Sequence, residues 1–200
     1  DVTLYLLPWI MFSLINFAES PILKSVFQDS SSTIGVAELA ISGVFALVGG
    51  IFGDFVGRKR VVITGFIFLG IEYAILSLFS GVPISLYVYT ILDGISWGLF
   101  ASVFFMTIWG DLAETKQKEK YYVLGGLPYL LAGFIPVVVE PLVQGQQIST
   151  VTAFSLASFF LFVAVLPLMY APETLPEKKI KERELQDYVE RAKKTKEKYA

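Results

Sequence analysis

Val61-Val-Ile-Thr-Gly-Phe-Ile-Phe-Leu-Gly-Ile-Glu72-Tyr-Ala-Ile-Leu-Ser-Leu-Phe79 carries a single ionisable side chain, and Arg58-Lys59-Arg60 stands directly before it. At about 1.5 Å rise per residue a helix of this length crosses most of the roughly 30 Å hydrocarbon core of a bilayer. The basic triplet marks where such a helix leaves the lipid. Outward from this run, five more apolar stretches of similar reach appear: about Leu4 through Ala18, continuing past Pro21 toward Phe27, then Gly35 to Phe52, Leu86 to Trp109, Tyr122 to Val143 and Val151 to Tyr170. Prolines 8, 21, 128 and 136 fall inside or near them, which a helix packed among other helices tolerates. The first stretch has neither a basic leader nor a small-residue cleavage site, so it reads as a span rather than a signal peptide.

Composition agrees. Hydrophobic residues make up 54% of the chain, and the 16 glycines bring the apolar share to about 62%, against roughly 45–50% in soluble domains. Charge is concentrated beyond Pro172: Glu173 to Lys198 holds nine of the 16 Lys/Arg and seven of the 18 Asp/Glu. The expected fold is therefore an all-α membrane protein, with six transmembrane helices over residues 1–170 and a charged cytoplasmic tail over 171–200. Within that tail Glu177/Lys181 and Glu190/Lys194 have helical i, i+4 spacing, and a solvated helix is the plain reading. The chain has no Cys and no His, which removes disulfides, thiolate metal sites, cysteine nucleophiles and the commonest neutral-pH base. No metal or cofactor is expected, and a net charge of −2 gives no reason to expect nucleic-acid binding.

Basic residues set the orientation. Arg58, Lys59, Arg60, Lys116, Lys118, Lys120 and the nine cations of the tail fall on one side, and only Lys24 on the other. Both termini are then cytoplasmic in a cell membrane, plasma or inner, with Trp109, Tyr121, Tyr122 and Tyr170 at the inner interface.

Between the second and third spans stands Gly50-Ile-Phe-Gly-Asp54-Phe-Val-Gly57-Arg58-Lys59-Arg60. Gly50 and Gly53 would allow close helix approach, Gly57 a tight turn, and Asp54 charge-assisted pairing. The stretch resembles the signature of the major facilitator superfamily, Gly-x-x-x-Asp-x-x-Gly-Arg-Lys/Arg-Lys/Arg, which joins the second and third helices of a six-helix half. Asp111-Leu-Ala-Glu114 followed by Lys118 is similar to the acid and later cation that this family places before its fifth helix. Pro172-Glu173-Thr174 resembles the Pro-Glu-Thr after the last helix of sugar-porter-like members. The resemblance implies a half bundle that works with a second six-helix half by rocking around a central site. It also implies that Asp54, Arg58, Asp111 and Lys118 gate its cytoplasmic side through contacts with that second half. Facilitators usually have twelve helices, so six suggest one half. The Pro-Glu-Thr and charged tail point to the carboxy-terminal half, the strong signature points to the other, and a dimer of six-span units is the remaining arrangement.

Ionisable residues within spans are costly and mark candidate function. Asp93 lies about 10 Å in from one end of the fourth span, with Thr90, Ser96 and Trp97 on or beside its face. Ser13, Asn16 and Glu19 form a stripe in the first span at steps of three. First and fourth helices line the cavity in facilitators, so Asn16, Glu19, Asp93 and Trp97 are substrate-site candidates. Glu72, near mid-membrane in a peripheral third helix, would face its own bundle and hold a proton. Glu38 and Glu140 read as solvated near the outer interface. A carboxyl removed from water favours its neutral form, the basis for expecting proton coupling. With no Lys or Arg in the spans, a cationic or neutral solute is mildly favoured over an anionic one.

The expected function is secondary transport of a small solute, probed against two rivals. One is an intramembrane serine hydrolase, since Gly94-Ile-Ser96-Trp-Gly98 fits Gly-x-Ser-x-Gly. That reading lacks a base for Ser96, and Gly94/Gly98 also reads as a close-packing Gly-x-x-x-Gly face. The other is a non-transporting scaffold or sensor whose tail recruits a partner.

Overall fold

The computed structural model describes residues 1–27, 31–80, 82–113, 118–145, 149–174, 181, 182, 185, 188 and 189, apart from the side chains of 31–33. All regular structure among them is helical: α1 (Val2–Val26), α2 (Ser31–Val56), α3 (Arg58–Phe79), α4 (Pro83–Phe100), a π-helical turn (Ala101–Phe105), α5 (Ile108–Leu112), α6 (Lys118–Ala132), α7 (Ile135–Gln144), α8 (Thr150–Val163) and α9 (Val165–Tyr170). Six stretches are long and apolar enough to cross a bilayer: Val2–Val26, Ile34–Val56, Arg58–Phe79, Pro83–Leu112, Lys118–Gln144 and Thr150–Tyr170. Each of the six expected spans is present, with the second to fifth extending a few residues beyond the expected apolar stretch.

Proline explains where the fifth and sixth spans break. Pro136 cannot donate to the Ala132 carbonyl, and α6 ends at Ala132; Pro167 cannot donate to Val163, and α8 ends there. Span four is interrupted without proline. The Thr107 hydroxyl donates to the Ser102 and Val103 carbonyls (3.2 and 3.1 Å), and the Tyr122 hydroxyl donates to the Met106 carbonyl (2.8 Å). Side chains thus satisfy the backbone groups that the π turn releases, as lipid demands.

Packing centres on α3, which lies between α4 and α8, while α2 runs along α4 and α1 sits against α6 to α9. Trp9 anchors an aromatic core, stacked on Phe12 and Phe104, with its indole N–H donating to the Gly125 carbonyl at 2.6 Å. The α2–α4 seam depends on glycine. A Cβ at Gly98 would lie 2.6 Å from the Ser42 carbonyl oxygen, one at Gly94 2.8 Å from Ile41 Cβ, and one at Gly49 2.6 Å from Ser102 Oγ. Gly94 and Gly98 therefore close-pack, as their spacing suggests. Gly50, by contrast, faces open space and Gly53 makes only ordinary contact. The seam follows Ser42, Ala46, Gly49 and Gly53, and Gly50 sits one position round the helix from it. The exposed faces of α2 and of span five carry Val36, Leu39, Val44, Leu47, Leu130, Phe134 and Val137.

Of the tail, residues 181, 182, 185, 188 and 189 are helical and exposed; Glu177, Glu190 and Lys194 lie outside the described residues.

Candidate functional site

Two arrangements sit at opposite ends of the bundle. At the signature end, Gly57 alone separates α2 from α3, with φ of 99° that a side-chain-bearing residue rarely adopts. Arg58, Lys59 and Arg60 are not a loop, as the sequence suggests, but the first turn of α3. That turn leaves backbone N–H groups without intrahelical acceptors, and Glu173 supplies one from 115 residues away. Its Oε1 accepts from the N–H groups of Arg58 (2.8 Å), Lys59 (3.4 Å) and Thr174 (3.0 Å), placing a carboxylate at the positive end of the helix. The exchange is reciprocal. Lys59 Nζ donates to the Met169 and Ala171 carbonyls (2.9 and 2.8 Å) at the negative end of α9, and the Tyr5 hydroxyl donates to the Pro172 carbonyl at 2.6 Å. Pro-Glu-Thr is thus a structural clasp that ties the first, third and sixth spans together.

Arg58 is buried, and its guanidinium pairs with Asp111 while lying 4.0 Å from Asp54 Oδ1. The Asp54 side chain is half exposed, so its share is small. The resemblance implied contacts from Asp54, Arg58, Asp111 and Lys118 to a second half. Here Asp111 turns inward to Arg58 of its own half, because α5 is short and ends beside the start of α3, whereas Lys118 and Arg60 are exposed. Glu114 lies outside the described residues.

At the other end, α1, α2 and α4 enclose a cavity of about 300 Å³. Asn16 and Glu19 line it from α1, and Asp93 and Trp97 from α4, so four candidates from two separate stripes share one wall. Tyr89 lines it one turn from Asp93, and Glu38 reaches it from the start of α2. Glu38 was expected in solvent; it is half-buried instead, because it lines the cavity that α2 forms with α1 and α4. Glu19 and Asp93 are buried, and Glu19 Oε2, Glu38 Oε1 and Asp93 Oδ1 have no hydrogen-bond partner among the described residues.

Glu72 is fully buried behind this wall, with its carboxyl against that of Asp93. No N–H or O–H donor of the described residues reaches either of its oxygens. The Tyr73 hydroxyl lies beside Glu19. Other polar residues of the stripes are spent locally. Ser13 donates to the Trp9 carbonyl (2.8 Å), Thr90 to Leu86 (2.8 Å), and Ser96 to Leu92 (2.8 Å) and Gly65 (3.2 Å). Ser96 is buried between α3 and α4, with its hydroxyl committed to those two carbonyls.

Glu38, Tyr89 and Glu173 are the residues that sequence reading missed. Tyr89 had a usable signal, its four-residue spacing from Asp93; Glu173 stood out only within Pro-Glu-Thr, and its role as a cap had no signal, since its partners lie across the bundle.

Comparison with known proteins bears on this architecture. The family model described as Major Facilitator Superfamily matches residues 2–197. No curated protein matches the chain. With a match over nearly its whole length and six membrane-length helices, the chain belongs to the Major Facilitator Superfamily, a family of membrane transporters.

Proposed function

We propose that the chain is one six-helix half of a secondary transporter that moves a small solute by alternating access and couples it to protons. The observation that carries this reading is Asp93, a buried acid whose Oδ1 is unpartnered in a cavity wall and whose carboxyl meets that of Glu72. A transporter needs a group near the membrane interior that gains and loses a proton as the solute comes and goes. The Asp93–Glu72 contact provides one, and Asn16, Glu19 and Trp97 complete the solute wall.

Both termini and the clasp lie on the cytoplasmic side of the cell membrane, following the fifteen-to-one distribution of cations. The cavity then opens toward the opposite side. A second half, in the same polypeptide or in a dimer mate, covers α2 and span five, whose apolar windows are only 6% and 11% buried within this half. Asp54, Arg58, Asp111 and Lys118 set the resting position of the inner gate, with Arg58–Asp111 stiffening this half so that it moves as a unit.

The test is uptake of a panel of small solutes into proteoliposomes of the full-length protein under an imposed proton gradient. Gradient-driven accumulation of at least one solute, lost in Asp93→Asn and kept in Glu140→Gln on the exposed side of α7, is the expected result. Accumulation that ignores the gradient, or that survives Asp93→Asn, overturns proton coupling; no accumulation of any solute favours a scaffold.

A further inference from the structure

The cavity between α1, α2 and α4 has a chemistry more specific than that of a generic solute site. Three carboxyls, Glu19, Glu38 and Asp93, reach its wall, while its one cation, Lys24, has an exposed side chain. Two of the three are more than nine-tenths buried, at 5% exposure for Glu19 and 3% for Asp93. Asp93 lines the cavity, and its buried Oδ1 has no donor to meet it among the described residues. A buried acceptor of this kind calls for a donor that arrives with a ligand, and a positively charged one satisfies it best.

Size and shape narrow the ligand further. A volume of about 300 Å³ suits a small organic molecule rather than a bare ion. Among the described residues no three acids stand close enough together to hold a metal ion. Trp97 and Tyr89 lend aromatic faces to the same wall, which attract alkylammonium groups and accept an apolar body.

We propose that this cavity binds an organic monocation, a protonated or quaternary amine on an apolar body, and that its positive charge displaces one proton from the buried acids of the wall. The inference rests on the transporter reading for its purpose, though not for its chemistry. The exchange balances: one positive charge enters, one proton leaves through the cavity to water, and no covalent bond forms or breaks apart from the O–H bond that releases it. The groups facing Asp93 bear on that exchange from every side. Glu19 and Lys24 come from α1, Glu38 from α2, Glu72 and Tyr73 from α3, and Tyr89 from α4 itself. With a single exposed lysine among them, only an incoming cation or a retained proton compensates the buried acids.

The test uses the full-length protein in detergent with benzyltrimethylammonium as probe, because its charge is permanent and any proton released comes from the protein. Binding is measured by equilibrium dialysis of radiolabelled probe, and proton release by an indicator dye in weakly buffered solution. Saturable binding with release of up to one proton per site is expected, with benzenesulfonate and sodium ions failing to compete. Asp93→Asn should weaken binding at least tenfold and abolish the release, Glu19→Gln should weaken binding several-fold, and Glu140→Gln should change neither. Absence of saturable binding to the wild type overturns the proposal, as does equal competition by benzenesulfonate or undiminished binding in Asp93→Asn. Effective competition by sodium would overturn the organic ligand in favour of a metal ion. Should Asp93→Asn not fold, the wild-type comparison of cation with anion and the Glu19→Gln variant still decide. Probe binding requires no transport: a protein that accumulates solutes yet ignores the cation fails this inference alone, and one that binds the cation yet moves nothing fails the transporter reading alone.

Discussion

Truncating Glu173 to alanine isolates the clasp between the third and sixth spans. Its carboxylate caps two N–H groups of the first turn of α3, those of Arg58 and Lys59, from a position outside that helix. Loss of an N-cap acceptor costs about 0.5–2 kcal/mol. Removing a negative charge from the helix N-terminus adds about 0.3–1 kcal/mol at a partly exposed site. The opening of the Pro172 segment from the bundle should therefore become easier by about 1–3 kcal/mol, a factor of roughly five to one hundred and fifty in its equilibrium. Ala171 reports on it, being buried at 2% exposure with its carbonyl held by Lys59. These 200 residues hold no native cysteine, so with any cysteine elsewhere in the polypeptide replaced, Ala171→Cys gives a single thiol. In a regime where the segment opens and closes faster than the thiol reacts, the maleimide labelling rate scales with that opening. Ala171→Cys/Glu173→Ala should label about five- to one-hundred-and-fifty-fold faster than Ala171→Cys alone. Rates within a factor of two would refute the reasoning that Glu173 caps α3 in trans.

Gly57→Ala forces a Cβ into a backbone at φ 99° and against the Glu173 carboxyl, so thermal unfolding should show a loss of about 1–2 kcal/mol or more; an unchanged midpoint would contradict it. Gly98→Leu, filling the α2–α4 seam where even a Cβ lies 2.6 Å from Ser42 O, should cost at least about 1–3 kcal/mol, whereas Gly50→Leu, facing open space, should be nearly neutral by the same assay. Arg58→Met strands Asp111, and because that pair keeps 10% and 15% side-chain exposure the loss should fall below the about 3–5 kcal/mol of a fully buried pair. Adding Asp111→Leu should recover most of it, and strict additivity of the two changes would count against a direct pair. Asp54→Asn, removing a half-exposed partner at 4.0 Å, should cost only about 0.2–1 kcal/mol of stability while shifting the balance between inward- and outward-facing forms. Unchanged labelling of cavity cysteines in that variant would speak against a gating role.

The spans were legible because lipid leaves a chain little choice: with no water to satisfy the backbone, crossing segments announce themselves as long apolar runs. Gly57 was legible for a similar reason, since its backbone angle suits few other residues. Asn16, Glu19, Asp93 and Trp97 could be grouped because helical spacing puts each pair on one face and family likeness brings the two faces together. What stayed hidden depends on how helices meet. Gly49 and Gly50 are adjacent and chemically identical, and only the rotation of α2 decides which one packs. Glu38 reads as interfacial until α2 is seen to lean over α1 and α4. Glu173 looks like a family signature in sequence, and its work as a helix cap 115 residues away is visible only once the spans are assembled.

Ser20, on the cavity wall formed by α1, tests the central claim most directly. A single Ser20→Cys in the full-length protein, reconstituted in one orientation, can be offered an impermeant maleimide from either side of the membrane. Alternating access predicts labelling from both sides, with the ratio of the two rates shifted by Asp54→Asn. Labelling from one side only, at a ratio that Asp54→Asn leaves unchanged, would contradict it.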